Sequence, residues 1–174
     1  MKLEPGKTVE WYTPESFVRR LEERFGTFDL DPCATVDSAK APFYYTKDTD
    51  GLARTWFGNV FMNPPYGREI VPWVEKAAKE SSRPGVEGIV ALLPASVDTD
   101  WWHVFVEPYI DVEMKVHGRI RFLTSEGEYD GTPMFKSLVV RYRSHPFGII
   151  HATIDAETPE EAEHRKNRLK ERNR

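Results

Sequence analysis

Residues 59–66 read Asn-Val-Phe-Met-Asn-Pro-Pro-Tyr, and no other stretch limits the fold as tightly. The first four residues make a short buried strand, and the prolines end it, because neither can donate to a ladder. Asn63-Pro64-Pro65-Tyr66 answers no purely structural need well. Pro-Pro fixes two backbone torsions and leaves the Pro64 carbonyl with no ladder partner. That carbonyl and the Asn63 side-chain oxygen converge as two acceptors, and the Tyr66 ring adds a flat face. Two acceptors and a platform suit a planar group bearing an NH2, such as the exocyclic amine of adenine. The competing reading is a rigid turn with a packed tyrosine.

The surrounding pattern places this turn in an α/β domain. Thr13-Pro14-Glu15 opens a helix with a hydroxyl cap, a proline and an acid, Phe17, Leu21 and Phe25 follow at four-residue spacing, and Gly26 closes it. A strand at 28–31 stops at Pro32, and a short one is expected at 43–45. A helix follows over 68–81, with Ile70, Trp73, Val74, Ala77 and Ala78 inward. Gly88–Leu93 is a continuously apolar strand, and Asp98 or Thr99 caps a helix carrying Trp101, Trp102 and Phe105. Alternating strands then read over 110–116, 119–123, 135–142 and 149–154, before Thr158-Pro159-Glu160-Glu161 forms a capping box with Glu161→Arg165 support. Helices alternating with buried strands, finished by antiparallel strands, give α/β with an antiparallel edge. Ligands in such sheets sit at the carboxyl ends of the parallel strands, where both Asp31-Pro32-Cys33 and Asn63-Pro64-Pro65-Tyr66 fall.

Composition narrows the classes further. A chain of 174 residues suits one domain. We divide it into a core domain over 1–157 and a charged helical tail over 158–174. Cys33 stands alone, so neither a disulfide framework nor a thiolate zinc site is expected. The five histidines show no metal-ligand spacing, and no metal is expected. No long apolar run or leader pattern is seen, which reads as a reduced, soluble, cytoplasmic protein. The net charge of −4 hides a contrast, because residues 1–113 carry −7 while 114–145 carry +3. A polyanion would meet the C-terminal third, where Arg119, Arg121 and Lys136 lie; ordinary solvated faces account for the clustering equally well.

Several stretches together resemble one family. Val60-Phe61-Met62-Asn63-Pro64-Pro65-Tyr66-Gly67 is similar to the catalytic motif of S-adenosylmethionine-dependent amino-methyltransferases. Trp11-Tyr12-Thr13-Pro14, Phe28-Asp29-Leu30-Asp31-Pro32-Cys33-Ala34, Asp50-Gly51-Leu52, Leu92-Leu93-Pro94-Ala95 and Gly118-Arg119-Ile120-Arg121-Phe122 extend the likeness to the small phage-type DNA N6-adenine methyltransferases. The resemblance spans roughly residues 11 to 140. It departs from most methyltransferases in lacking a Phe-x-Gly-x-Gly loop, whose place is taken by Asp29-Leu30-Asp31-Pro32-Cys33-Ala34.

That resemblance implies a Rossmann-like methyltransferase sheet, mostly parallel with an antiparallel C-terminal hairpin, in a bacterial cell and of phage or prophage origin. It implies S-adenosylmethionine as cofactor and double-stranded DNA with a flipped-out adenine as substrate, with a homodimer as a further expectation. Asn63, Pro64, Pro65 and Tyr66 would be catalytic. Thr13, Pro14, Asp29, Asp31, Pro32, Cys33, Asp50 and Asn63 would line the cofactor. For these residues, other roles compete: Thr13 and Pro14 as helix caps, Asp29 as strand support, Asp50 as a turn residue, and Cys33 as small buried packing. Tyr66, Arg119, Arg121, Phe122, Phe135 and Lys136 would meet DNA, with Phe122 or Phe135 against the target ring and Arg119 or Arg121 on phosphate. N4-cytosine methylation, protein glutamine methylation and a non-catalytic DNA-binding decoy are the alternatives.

Overall fold

The computed structural model describes residues 12–124, 127–128 and 136–172. Helix α1 (Glu15–Phe25) is followed by β1 (Leu30–Asp31), β2 (Phe43–Tyr44) and β3 (Gly58–Met62). A 3-10 turn at Gly67–Glu69 leads into α2 (Ile70–Glu80), then β4 (Val86–Pro94) and α3 (Asp100–Phe105). The chain continues through β5 (Ile110–His117), the short β6 (Leu123–Thr124) and β7 (Gly127–Glu128), β8 (Ser137–Tyr142), β9 (Ile150–Asp155) and α4 (Pro159–Arg172).

Seven strands form one sheet in the order β2-β1-β3-β4-β8-β5-β9. Every neighbouring pair is parallel except the two that involve β8. The sheet is therefore Rossmann-like, mostly parallel, with an antiparallel β5/β8 pair. The antiparallel strand lies inside the sheet, between β4 and β5, rather than at an edge. The edge belongs to β9, which runs parallel to β5, with Val112 opposite Ile150 and His117 opposite Asp155. A strand that follows β8 and reverses direction must match β5, so the expectation that only antiparallel strands finish the chain is corrected.

Strand alternation splits the core between the two faces of the sheet, as period-2 side chains must. Val60, Met62, Ile89, Ala91 and Leu93 pack with Ile70, Val74 and Ala77 of α2 and Trp102 of α3. Phe61, Val90, Leu92 and Val139 pack on the other side with Phe17, Val18 and Leu21 of α1. The strand expected at 119–123 shrinks to its last residue. β5 and β8 already have neighbours on both sides, so residues 119–122 have no ladder to join. Their alternation survives as packing: Ile120 and Phe122 are buried against the α1 side of the core. Leu123 instead bridges Tyr12, with reciprocal backbone hydrogen bonds of 2.8 Å.

Two helix-end readings change and one holds. Pro14 occupies the α1 cap, and its carbonyl accepts from Phe17 N–H and Val18 N–H. The Thr13 hydroxyl makes no capping bond to the helix. The capping box of α4 forms as read: Thr158 N–H donates to Glu161 at 2.6 Å, and Glu161 N–H donates to the Thr158 hydroxyl at 3.2 Å. Glu161 is then also engaged by the Ser16 hydroxyl at 2.5 Å. Arg165 pairs with Glu157 at 3.0 Å instead of Glu161.

Candidate active site

β1 has β2 on one side and β3 on the other, so the chain leaves β1 in one direction and later returns on the other. A crevice opens at such a switch point beyond the strand ends. Asp31-Pro32 and Asn63-Pro64 end the two strands that flank it. A narrow cleft there is lined by Tyr12, Thr13, Asp31, Cys33, Ser38, Lys40, Phe61 and Asn63. The structure thus gathers four expected residues, Thr13, Asp31, Cys33 and Asn63, from segments up to fifty positions apart.

Asn63 is oriented by its neighbours. Its Nδ2 donates to the Thr13 hydroxyl at 3.2 Å, which ties the amide to the residue just before the cap of α1. Its backbone N–H donates to the Cys33 thiol. Burial pushes that thiol's pKa up, and the nearby Asp31 carboxylate adds to the rise. A thiol held protonated is a poor nucleophile, so Cys33 serves here as packing and as an acceptor for the Asn63 backbone.

Asp31 is 4% exposed. Its carboxylate accepts the backbone N–H groups of Cys33 at 3.3 Å and Lys40 at 3.1 Å. Desolvation outweighs these bonds and pushes its pKa up to about 7. A carboxyl with so raised a pKa, lining a cleft, marks a candidate functional group.

Pro64 is buried, Pro65 is exposed and Tyr66 is half-buried. The Tyr66 hydroxyl itself is buried. Desolvation drives its pKa upward, and the Ser137 hydroxyl at the start of β8 opposes that rise. The atoms of Tyr66 that remain accessible are therefore those of its ring and backbone, as a stacking face requires.

Other expected site residues lie elsewhere. Asp29 precedes β1, and its carboxylate accepts the Asn59 N–H at 2.8 Å, which is the strand-supporting half of its reading. Asp50 caps a turn, accepting from Leu52 N–H at 3.1 Å and Ala53 N–H at 3.3 Å. Its loop still reaches the crevice, because Gly51 packs against the Pro32 carbonyl. Phe122 is 8% exposed and packs with the cluster on the α1 side of the sheet. Arg121 pairs with Glu157 at 3.2 Å. Arg119 and Lys136 are exposed. Phe135 lies outside the described residues. Sequence reasoning gave no role to Ser38 or Lys40, nor to the Ser137 hydroxyl. Only the nine-residue step from Asp31 back to the Lys40 amide could have flagged Lys40, and no local pattern encodes it.

The cleft thus draws its lining from an aspartate, a lysine, a cysteine, an asparagine, the hydroxyl residues Thr13 and Ser38 and the aromatic Tyr12 and Phe61. Among the described residues, no three His, Cys, Asp or Glu side chains group as metal ligands. No described helix is long and apolar enough to cross a membrane.

A mostly parallel sheet thus carries a strand-ending Asn-Pro-Pro-Tyr beside a buried carboxylate. The chain belongs to the family described as DNA N-6-adenine-methyltransferase (Dam), whose profile matches residues 3–163. It is 35% identical over 94 residues to the DNA N-6-adenine-methyltransferase of Escherichia phage T1, covering 53% of this chain and 38% of that protein. The chain thus spans well under half the length of that relative. It is also 35% identical over 71 residues to "Putative methyltransferase YfdM" of Escherichia coli (strain K12), covering 37% of this chain and 72% of that one. A crystal structure of a predicted O-methyltransferase from Agrobacterium tumefaciens aligns with a TM-score of 0.38 at 15% identity, over 84% of this chain and 69% of that one.

Proposed function

We propose that this chain transfers a methyl group from S-adenosylmethionine to the N6 amine of adenine in DNA. The observation that carries the proposal is the Asn63–Thr13 hydrogen bond beside Asp31, which sets an oriented amide acceptor next to a buried anionic receptor. When bound, S-adenosylmethionine supplies an electrophilic sulfonium methyl. Asp31 would face its positive charge, with Thr13 and Cys33 lining the same cleft; Pro32 joins Asp31 to Cys33, and Pro14, Asp29 and Asp50 order the adjoining chain at the α1 cap, the Asn59 amide and the 50–53 turn. Asn63 Oδ1 and the Pro64 carbonyl would accept hydrogen bonds from the two N6–H groups of the target base; the N–C bond would form as the C–S bond breaks, and the surplus N6 proton would then pass to water. Those hydrogen bonds strengthen as the nitrogen becomes tetrahedral, so they favour the transition state over the ground state. Tyr66 offers its ring to the base, and Pro65 holds the turn rigid.

The target base must leave the helix, since its amine is otherwise locked in base pairing. Arg119 and Lys136, exposed near the β8 end, supply positive charge for the backbone, with Arg121 joining if it leaves Glu157. Family membership supports DNA adenine as substrate, and the intact Asn-Pro-Pro-Tyr argues for turnover. The chemistry places the enzyme wherever bacterial or phage DNA is accessible. A two-fold assembly would bring a second basic surface to the duplex.

The test is transfer of labelled methyl from S-adenosylmethionine to plasmid DNA, followed by nucleoside digestion and mass spectrometry. N6-methyladenine is the expected product. N4-methylcytosine would reassign the base, and label only in protein glutamine would reassign the substrate. Cofactor binding without any transfer would leave a decoy.

A further inference from the structure

We infer that Lys40 holds the α-carboxylate of S-adenosylmethionine and thereby makes the cleft selective for a ligand with an intact amino-acid end; this rests on the cofactor reading above. The Lys40 side chain is only 7% exposed. Lysine is seldom buried so deeply without an anion to satisfy it. Its ammonium is engaged by Glu15, but that carboxylate is 63% exposed and accepts only one of three available donors. Lys40 also lines the cleft, together with Asp31, Thr13, Ser38 and Asn63.

The charges are arranged as a pair. Asp31 offers an anion and Lys40 a cation, and Lys40 stands near enough to favour the ionised form of Asp31. The Lys40 backbone N–H donates to the Asp31 carboxylate at 3.1 Å, which anchors the base of the lysine side chain beside that carboxylate. A ligand end carrying an ammonium and a carboxylate on one carbon matches two opposite charges that line one cleft. The N-terminus of α1 begins at Glu15, just beyond Thr13, with no side-chain cap, and its positive end reinforces the preference for an anion there. A ligand with the amine alone would satisfy Asp31 and leave Lys40 with Glu15 only.

The experiment is calorimetric titration of the full chain with S-adenosylhomocysteine and with its decarboxylated analogue. The native protein should prefer the carboxylate-bearing ligand by about tenfold or more, as a charge-assisted hydrogen bond implies. Lys40→Met should bring the two affinities within about twofold of each other by weakening only the carboxylate-bearing ligand, while Lys40→Arg keeps most of the preference. Lys40→Gln, which keeps a polar tip, serves if the methionine variant melts early, and should flatten the ratio in the same way. Equal affinity of the native protein for both ligands overturns the inference. So does a variant that loses both ligands in proportion, which would mark Lys40 as structural. Binding of neither ligand by the native protein overturns the cofactor reading itself, and the inference with it.

Discussion

Asn63 Nδ2 donates to Thr13 Oγ1 at 3.2 Å, joining the end of β3 to the residue just before the cap of α1. The hydroxyl that the sequence marks as a helix cap is turned instead toward the amide. The prolines restrict the backbone at Asn63, Cys33 takes its N–H and Thr13 takes its Nδ2, so three separate segments meet at one amide.

That arrangement makes Thr13 a positioning residue for Asn63. Thr13→Val keeps the shape and removes the hydroxyl, and should lower kcat by about tenfold, the size of one lost hydrogen bond at a reacting centre. Thr13→Ser should restore most of the rate. Steady-state kinetics of all three proteins on one DNA substrate checks this, and an unchanged kcat in Thr13→Val would show that the amide is oriented by something else.

Asp31 makes both stability and ligand affinity depend on pH. Its folded pKa of about 7 lies above the ordinary 3.8, so between those values the folded protein holds a proton that the unfolded chain has lost. The stability of the ligand-free protein should therefore fall as pH rises through that window, and denaturant melts across it measure the slope. A cationic ligand favours the ionised carboxylate, so binding of S-adenosylhomocysteine should release a proton below pH 7 and weaken by up to about tenfold per unit as pH falls. Asp31→Asn should abolish both slopes.

Gly51 couples the 46–54 loop to the cofactor strand. A Cβ there would stand 1.9 Å from the Pro32 carbonyl oxygen, a backbone atom that cannot swing away. Gly51→Ala should destabilise the fold by about 1–3 kcal/mol through overpacking and reduce cofactor affinity by displacing Pro32. Chemical denaturation and ligand titration read the two effects separately.

What the sequence could disclose was local. Asn63-Pro64-Pro65-Tyr66 is legible because proline limits its own backbone and that of its neighbours. The Thr158–Glu161 capping box is legible because both bonds close within one turn. The helix and strand bodies follow from apolar spacing for the same reason. The insertion of β8 between β4 and β5 depends on which ladders are free, and no window of sequence reports that. Phe122 looked available because its alternation with Arg119 and Arg121 was correct; only the α1 face shows why it is buried. Glu157, holding both Arg121 at 3.2 Å and Arg165 at 3.0 Å, removes charge that a count of basic residues would have given to DNA.

That pairing bears on the DNA interface. Affinity for duplex DNA should fall steeply with salt, since counterions are released for each phosphate neutralised. Glu157→Gln should raise affinity and steepen the salt slope by freeing Arg121 and Arg165. Fluorescence anisotropy over a salt series measures both, and a flat response would point away from DNA.

The central claim is that the Asn63 amide is the acceptor for the reacting amine and not a part of the cofactor site's framework. Single-turnover methyl transfer by Asn63→Ala, run beside a titration with S-adenosylhomocysteine, tests it most directly. Transfer should fall by about a hundredfold or more, as for loss of a preorganised hydrogen-bonding group, while cofactor affinity changes by no more than severalfold. Near-native transfer by that variant, or a loss of transfer matched by an equal loss of cofactor binding, would contradict the account.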